Sequence, residues 1–384
     1  MFLIRNARLF TMDGPGYIEG GDVLLDGGKI AAVGTALSAA GAKEIDARGA
    51  YVTPGFVDAH SHIGMWGDGE HSEDGDGNEA TDPVTPQLRA LDAVNPVDPC
   101  FAEACRAGVT SVATGPGSAN VLGGQFLAIK TCGASLQERI LREPLAMKAA
   151  FGENPKAVYG AGGKRPATRM ATAAVLREAF YEAREYMRKR ANADAEKRPA
   201  FSLKNEALAM VLRRELPLKM HAHRADDILT AIRLAKEFDL RASVEHCTEG
   251  YMIADELRRA GVGVILGPLL TERGKPELKN LTMRAPAILH RAGVKFALMT
   301  DHGVIPEQYL AVQAGLCVRE GLPEMEALRA ITINAAEVLG LEARVGSLAP
   351  GKDADVVLFD GHPLETRTHA SLVIVNGEIA YERT

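Results

Sequence analysis

Two histidines one residue apart, His60 and His62, close the apolar run PGFVDAHSH. Alternate side chains of a β-strand share a face, so both imidazoles can grip one ion while Ser61 points away. The same placement recurs along the chain. His221 ends LPLKMHAH with His223 just beyond it, His246 ends RASVEHC, Asp301 ends KFALMTD, and Lys148 lies inside PLAMKAAF. An ionisable group in such a run is costly unless it is paired or bound to a metal. Imidazole and carboxylate donors without sulfur suit a divalent cation, zinc first, with manganese, iron or cobalt as alternatives. The chemistry open to such a set is metal binding and, through the metal, activation of water.

Those residues need elements that bring them together. From about Thr53 to Gly346 short apolar runs alternate with helical patterns, among them GVTSVAT (108–114), GVGVILG (261–267) and the amphipathic DDILTAIRLAKEFDL (226–240). Repeated β-then-α units mean parallel strands with helical crossovers. About eight such units predict a closed (β/α)8 barrel of the TIM type, whose strand ends converge on one mouth. No GxGxxG opens a helix after the first strand, which weakens an open dinucleotide-binding sheet. The charged stretch 170–215 predicts a helical hairpin inserted in a crossover. Outside the barrel, GDVLLDGGKIAAVG near the start and LVIVNGEIAYE near the end are both hairpin signatures. Single hairpins are marginal alone, so residues 1–52 and 347–384 are expected to form one small discontinuous β-sandwich domain beside a barrel of 53–346.

Composition narrows the class. The 384 residues carry a formal net charge of −6, which offers nucleic acid no basic footprint. No window reaches the roughly 18 uninterrupted apolar residues of a membrane span, and the start reads as a strand rather than a signal peptide. Five scattered cysteines with no CxxC pair predict reduced thiols and a cytoplasmic location, with a small molecule as partner. The amphipathic helices read as barrel packing or as faces for a homo-oligomer.

At these residues the chain resembles the amidohydrolase superfamily over nearly its whole length. PGFVDAHSH is similar to the superfamily's first-strand motif, and MHAH, VEHC and LMTDHG are similar to its strands five, six and eight. VGSLAPGKDADVVLFD followed by VIVNGEIAY is similar to its return to the β domain. Within the superfamily the chain is most similar to the imidazolonepropionase-like and Xaa-Arg/Xaa-Pro dipeptidase-like branch. The resemblance implies a hydrolase with one or two divalent ions. His60 and His62 would hold the more buried ion. His221 and His246 would hold the second, or His221 would join the first in a one-metal enzyme. Asp301 would ligate and act as general base; the alternative for it is a helix N-cap. Lys148 would be carboxylated and bridge two ions, with Lys130 as its rival.

One departure bears on the reaction. Deaminase branches and imidazolonepropionase itself carry a glutamate three residues after the strand-five histidine, where this chain has Arg224. That favours cleavage of a cyclic amide or a small dipeptide-like amide over deamination by the same fold. A catalytically silent oligomeric scaffold would have lost ligands, and here the set is complete. Arg224 and His223 are candidates for binding substrate. Trp66 and His71 are candidates on a polar lid, 67–83, whose EF-hand likeness fails at Glu79 and Thr85. Gln125 is a further candidate, in a glycine-rich GPGSANVLGGQF that lacks the phosphate-loop ending.

Overall fold

The computed structural model describes residues 1–14, 16–66 and 75–383. Both ends of the chain build one sheet. Its strands are β1 (Phe2–Phe10), β2 (Tyr17–Asp26), β3 (Lys29–Gly34), β4 (Lys43–Asp46) and β5 (Tyr51–Pro54) from the first part of the sequence. The last part adds β14 (Val356–Phe359), β15 (Ala370–Val375) and β16 (Glu378–Glu382). They run β16-β15-β14-β5-β1-β2-β3, with β4 beside β1. The two hairpins turn at Gly27-Gly28 and Asn376-Gly377, all four residues at positive φ, the conformation that two-residue hairpin turns demand. Both turns meet on Ala354, whose N–H donates to Gly28 O at 2.9 Å and whose carbonyl accepts from Gly377 N at 3.0 Å. One core serves both flanks, with Val23, Leu25 and Ile30 in the same cluster as Val356, Leu358 and Ile374. The hydrogen bonding is therefore that of a single continuous sheet, where two sandwiched layers were expected.

The second sheet is the barrel. In order it holds β6 (Phe56–Ser61), β7 (Val109–Thr114), β8 (Leu122–Lys130), β9 (Ile140–Ala150), β10 (Leu218–Ala222), β11 (Ala242–His246), β12 (Gly263–Leu266) and β13 (Ala297–Leu298). Its seam is closed just beyond β13, where Asp301 N donates to His60 O at 3.2 Å and His62 N to His302 O at 3.0 Å. Asp58 adds a side-chain clamp there, accepting from Thr300 N at 2.8 Å and from His60 N at 2.9 Å. The strands β7 and β8 are buried along their whole length, as a sheet covered on both faces requires.

The expectation of unbroken β/α repetition is corrected at β8. This strand runs antiparallel to both β7 and β9. Antiparallel neighbours need only short connections, so the link before β8 has no helix and the link after it only the single turn Leu136–Arg139. The inserted helices, Arg169–Arg190 and Leu203–Leu212, lie between β9 and β10. A second correction concerns the cysteines. Cys105, in the helix Pro99–Arg106, and Cys132, just past β8, are joined as a disulfide, where free thiols were expected. No described helix is long and apolar enough to cross a membrane.

Lys130, the rival to Lys148, has a structural place. Its side chain is buried at the far end of β8, with Nζ 3.0 Å from Asp353 and 2.8 Å from Asp355, and it also donates to Asn376. It thereby fastens the barrel to the terminal sheet. Removing one partner of a buried ion pair strands the other charges, at a cost of roughly 3–5 kcal/mol. Lys130→Met is expected to lower the unfolding free energy read from a urea titration by about that amount. An unchanged value would mean that the cluster holds nothing together.

Candidate metal centre

Two groups of donors face one another at the mouth formed by the C-terminal strand ends. The first comprises His60, His62 and Asp301. His60 and His62 are on or just past β6, so strand alternation puts both rings on the inward face. Asp301 Oδ1 lies 3.1 Å from His62 Nε2 and 3.5 Å from His60 Nε2. Gly115 O, 2.6 Å from His62 Nδ1, accepts that nitrogen's proton and leaves Nε2 free to ligate. Lys148, on the neighbouring face of β9, places Nζ 3.2 Å from His60 Nε2.

The second group comprises His221, His223 and His246. Their rings pack with centroids 4.2 to 4.7 Å apart. In each, Nδ1 is already engaged: His221 with Ser118 Oγ at 2.8 Å, His223 with Thr248 Oγ1 at 2.7 Å, His246 with Gly267 O at 3.0 Å. All three Nε2 atoms are buried without a hydrogen-bond partner. A buried polar atom left so is costly, and three aimed at one another are the signature of a shared cation. The donor set therefore fits a metal. His60 and His246, one from each group, stack edge to face at 5.6 Å, so the two positions adjoin.

The electrostatics favour ligand-competent protonation states. Burial holds His60, His223 and His246 well below the ordinary imidazole value and pulls His221 down to about 4, so all four rings are neutral at pH 7. Burial also pulls the Lys148 ammonium down to about 8, against the opposing pull of Glu245 and Asp301. For Asp301 burial alone would raise the carboxyl. The contact with His62 and the charge of Lys148 outweigh it and hold the group below the usual carboxylate range.

A cavity of about 780 Å³ opens over both groups. His62, His221, His223, His246 and Asp301 form its floor, and Trp66 lies on its wall with its ring 4.5 Å from that of His62. Gly77 packs under that indole, and a Cβ there would fall 2.4 Å from Trp66 Cε2. His71 lies outside the described residues.

Two candidates are not brought to the cavity. Arg224 sits at the start of the helix Ala225–Glu237, half exposed, and forks onto Asp226 at 2.8 and 3.0 Å. That local carboxylate satisfies the guanidinium before any substrate could. Gln125 falls on the antiparallel β8 rather than in a loop, and its amide donates to Pro86 O at 3.0 Å, away from the donors.

Three buried residues of the centre escaped the sequence reading. Glu245 Oε2 lies 2.6 Å from His60 Nδ1 and 2.8 Å from Lys219 Nζ, at the base of the site. Lys219 shares a strand face with His221, so the two-residue rule that paired the histidines also marks it. Glu245 adjoins His246 in VEHC, yet apolar flanks gave it no distinguishing period. Glu277 comes from the turn Pro276–Leu278, after β12, where no periodicity exists to read.

Comparison with known proteins agrees with this geometry. The sequence model of the amidohydrolase family matches residues 51–381. The solved structure of an amidohydrolase from Thermotoga maritima MSB8 is 46% identical, covers all of both chains and superposes with a TM-score of 0.96. The amidohydrolase tasK of Hapsidospora irregularis is 29% identical over 99% of this chain, which spans only 43% of that protein's length. An imidazolonepropionase from Maricaulis maris is 28% identical over 93% of this chain and 92% of its own.

Proposed function

This chain belongs to the amidohydrolase family and is a hydrolase acting on carbon–nitrogen bonds, and from that premise we propose that it cleaves a cyclic amide or a small dipeptide-like amide with one or two divalent ions, zinc first, at the strand-end centre. The observation that supports this most is the pair of donor groups facing one cavity, three of whose buried imidazole nitrogens have no hydrogen-bond partner. His60, His62 and Asp301 would hold the first ion, and His221 and His246 the second. When bound, such ions lower the pKa of water and polarise a carbonyl.

The protein's own groups divide the remaining work. Asp301, kept ionised by its contact with His62, takes a proton from the attacking water as the new carbon–oxygen bond forms. It returns that proton to the departing nitrogen as the carbon–nitrogen bond breaks, so the amine leaves neutral. Lys148 is buried and its proton is weakly held. Its neutral amine can add to carbon dioxide, losing one proton and becoming a carbamate, which would then bridge both positions. Trp66 covers one side of the reacting carbonyl and restricts water.

A panel of N-acyl amino acids, dipeptides, cyclic ureides and aminopurines, assayed with zinc supplied, tests the reading. Turnover is expected among the amides. Ammonia released from a ring amine, with no amide cleaved, would instead establish the deaminase alternative.

A further inference from the structure

Glu277 has no role in the scheme above, yet its carboxylate stands beside the second donor group. Its side chain is 1% exposed, with Oε1 3.6 Å from His223 Nε2 and 3.9 Å from His221 Nε2. The other oxygen is anchored, accepting from Glu153 N at 3.1 Å. Lys275 Nζ stands 2.8 Å from Oε1 and itself donates to Asn154 Oδ1 at 3.2 Å, which fixes the ammonium on the cavity side. A carboxylate anchored through one oxygen and paired with a lysine presents the second oxygen in a defined place.

His223 is the second observation. Its Nε2 is buried and unpartnered, and its Nδ1 is fixed by Thr248, as a ligating histidine requires. Ligand atoms around a tetrahedral zinc, each about 2.0–2.2 Å from it, lie roughly 3.3 Å apart. The gaps from Glu277 to the two histidines exceed that by a few tenths of an ångström, a shift within a side-chain adjustment.

We propose that His223 and Glu277 are inner ligands, so that the second position is enclosed by three imidazoles and one carboxylate: His221, His223, His246 and Glu277. This rests on the metal-dependent reading above and goes beyond it by assigning two donors to that position. Together with the Lys148 carbamate these donors would leave that position no place for water, as in a closed site that holds an ion in place. The open coordination is thereby left to the His60–His62–Asp301 side, where Asp301 can reach water.

Equilibrium dialysis with zinc, and visible absorption of the cobalt-loaded protein, test the assignment. Glu277→Gln is expected to weaken the second ion at least tenfold, the lower end of what losing even an outer partner costs, while the first ion stays bound. The cobalt bands should change in shape as one oxygen ligand is lost. Unchanged affinity and unchanged bands in a folded variant would overturn the proposal. A crystal of the zinc-loaded wild type decides without any variant: an ion within about 2.2 Å of Glu277 Oε1 and His223 Nε2 supports it. An ion held by His221 and His246 with Glu277 beyond contact overturns this inference alone, whereas a wild type that takes up no ion overturns the metal-dependent reading itself.

Discussion

Asp301→Asn is expected to abolish turnover while leaving the fold intact. The asparagine keeps the shape of the side chain but can neither accept the proton of the attacking water nor return it. General acid–base transfer contributes about 10²–10⁴ in rate, and Asp301 is proposed to serve both halves of the reaction. Its Oδ1 lies within 3.5 Å of both His60 and His62 Nε2, so an ion held there would also lose a ligand. The expected fall in kcat is therefore at least about a thousandfold, at the upper half of that range. The backbone at this point is held by its own bonds to the seam, Asp301 N to His60 O and Val304 N to Asp301 O, which the substitution leaves alone. A steady-state assay beside a thermal melt reads both effects. A variant that retains more than about a tenth of the activity shows that Asp301 is not the base.

Lys148→Ala is expected to reduce the bound metal from two ions per chain to about one and to depress turnover with it. The argument is positional. Lys148 is fully buried, its Nζ is 3.2 Å from a proposed ligand, and its ammonium has been pulled down to about 8. A charged lysine so placed would repel the cation. A neutral or carboxylated one would not. Lys219 is the natural comparison, since it is also buried, but its Nζ is committed to Glu245 at 2.8 Å and to Ala59 O at 3.0 Å. Of these two, Lys148 is the one turned toward the donors. Elemental analysis of the dialysed variant settles the count, and two retained ions would remove Lys148 from the centre.

Much of this was legible in the sequence because strand geometry is periodic. His60, His62, His221, His246 and Asp301 each end an apolar run, and in a barrel those ends share a mouth. The hairpin turns at Gly27-Gly28 and Asn376-Gly377 were legible for a similar reason, since their backbone conformation selects its residues. What failed was contact between groups distant in the chain. Arg224 looked free until Asp226 was seen to occupy it, and Gln125 looked like a loop residue because nothing in GPGSANVLGGQF announces the direction of β8. Lys130 and Lys148 sit in runs of similar texture, and only the acids that reach Lys130 from the terminal sheet separate them. Glu277 arrives on a turn, and turns carry no repeat that could report what they face.

The measurement that bears most directly on the centre is the metal content of the protein purified without added metal and dialysed to constancy, beside a His60→Ala/His221→Ala variant treated alike. About two divalent ions per chain in the wild type, and essentially none in the variant, are expected if imidazoles from β6 and β10 hold a shared pair of cations. A wild type carrying less than about half an ion per chain, or a double variant carrying as much as the wild type, would contradict it.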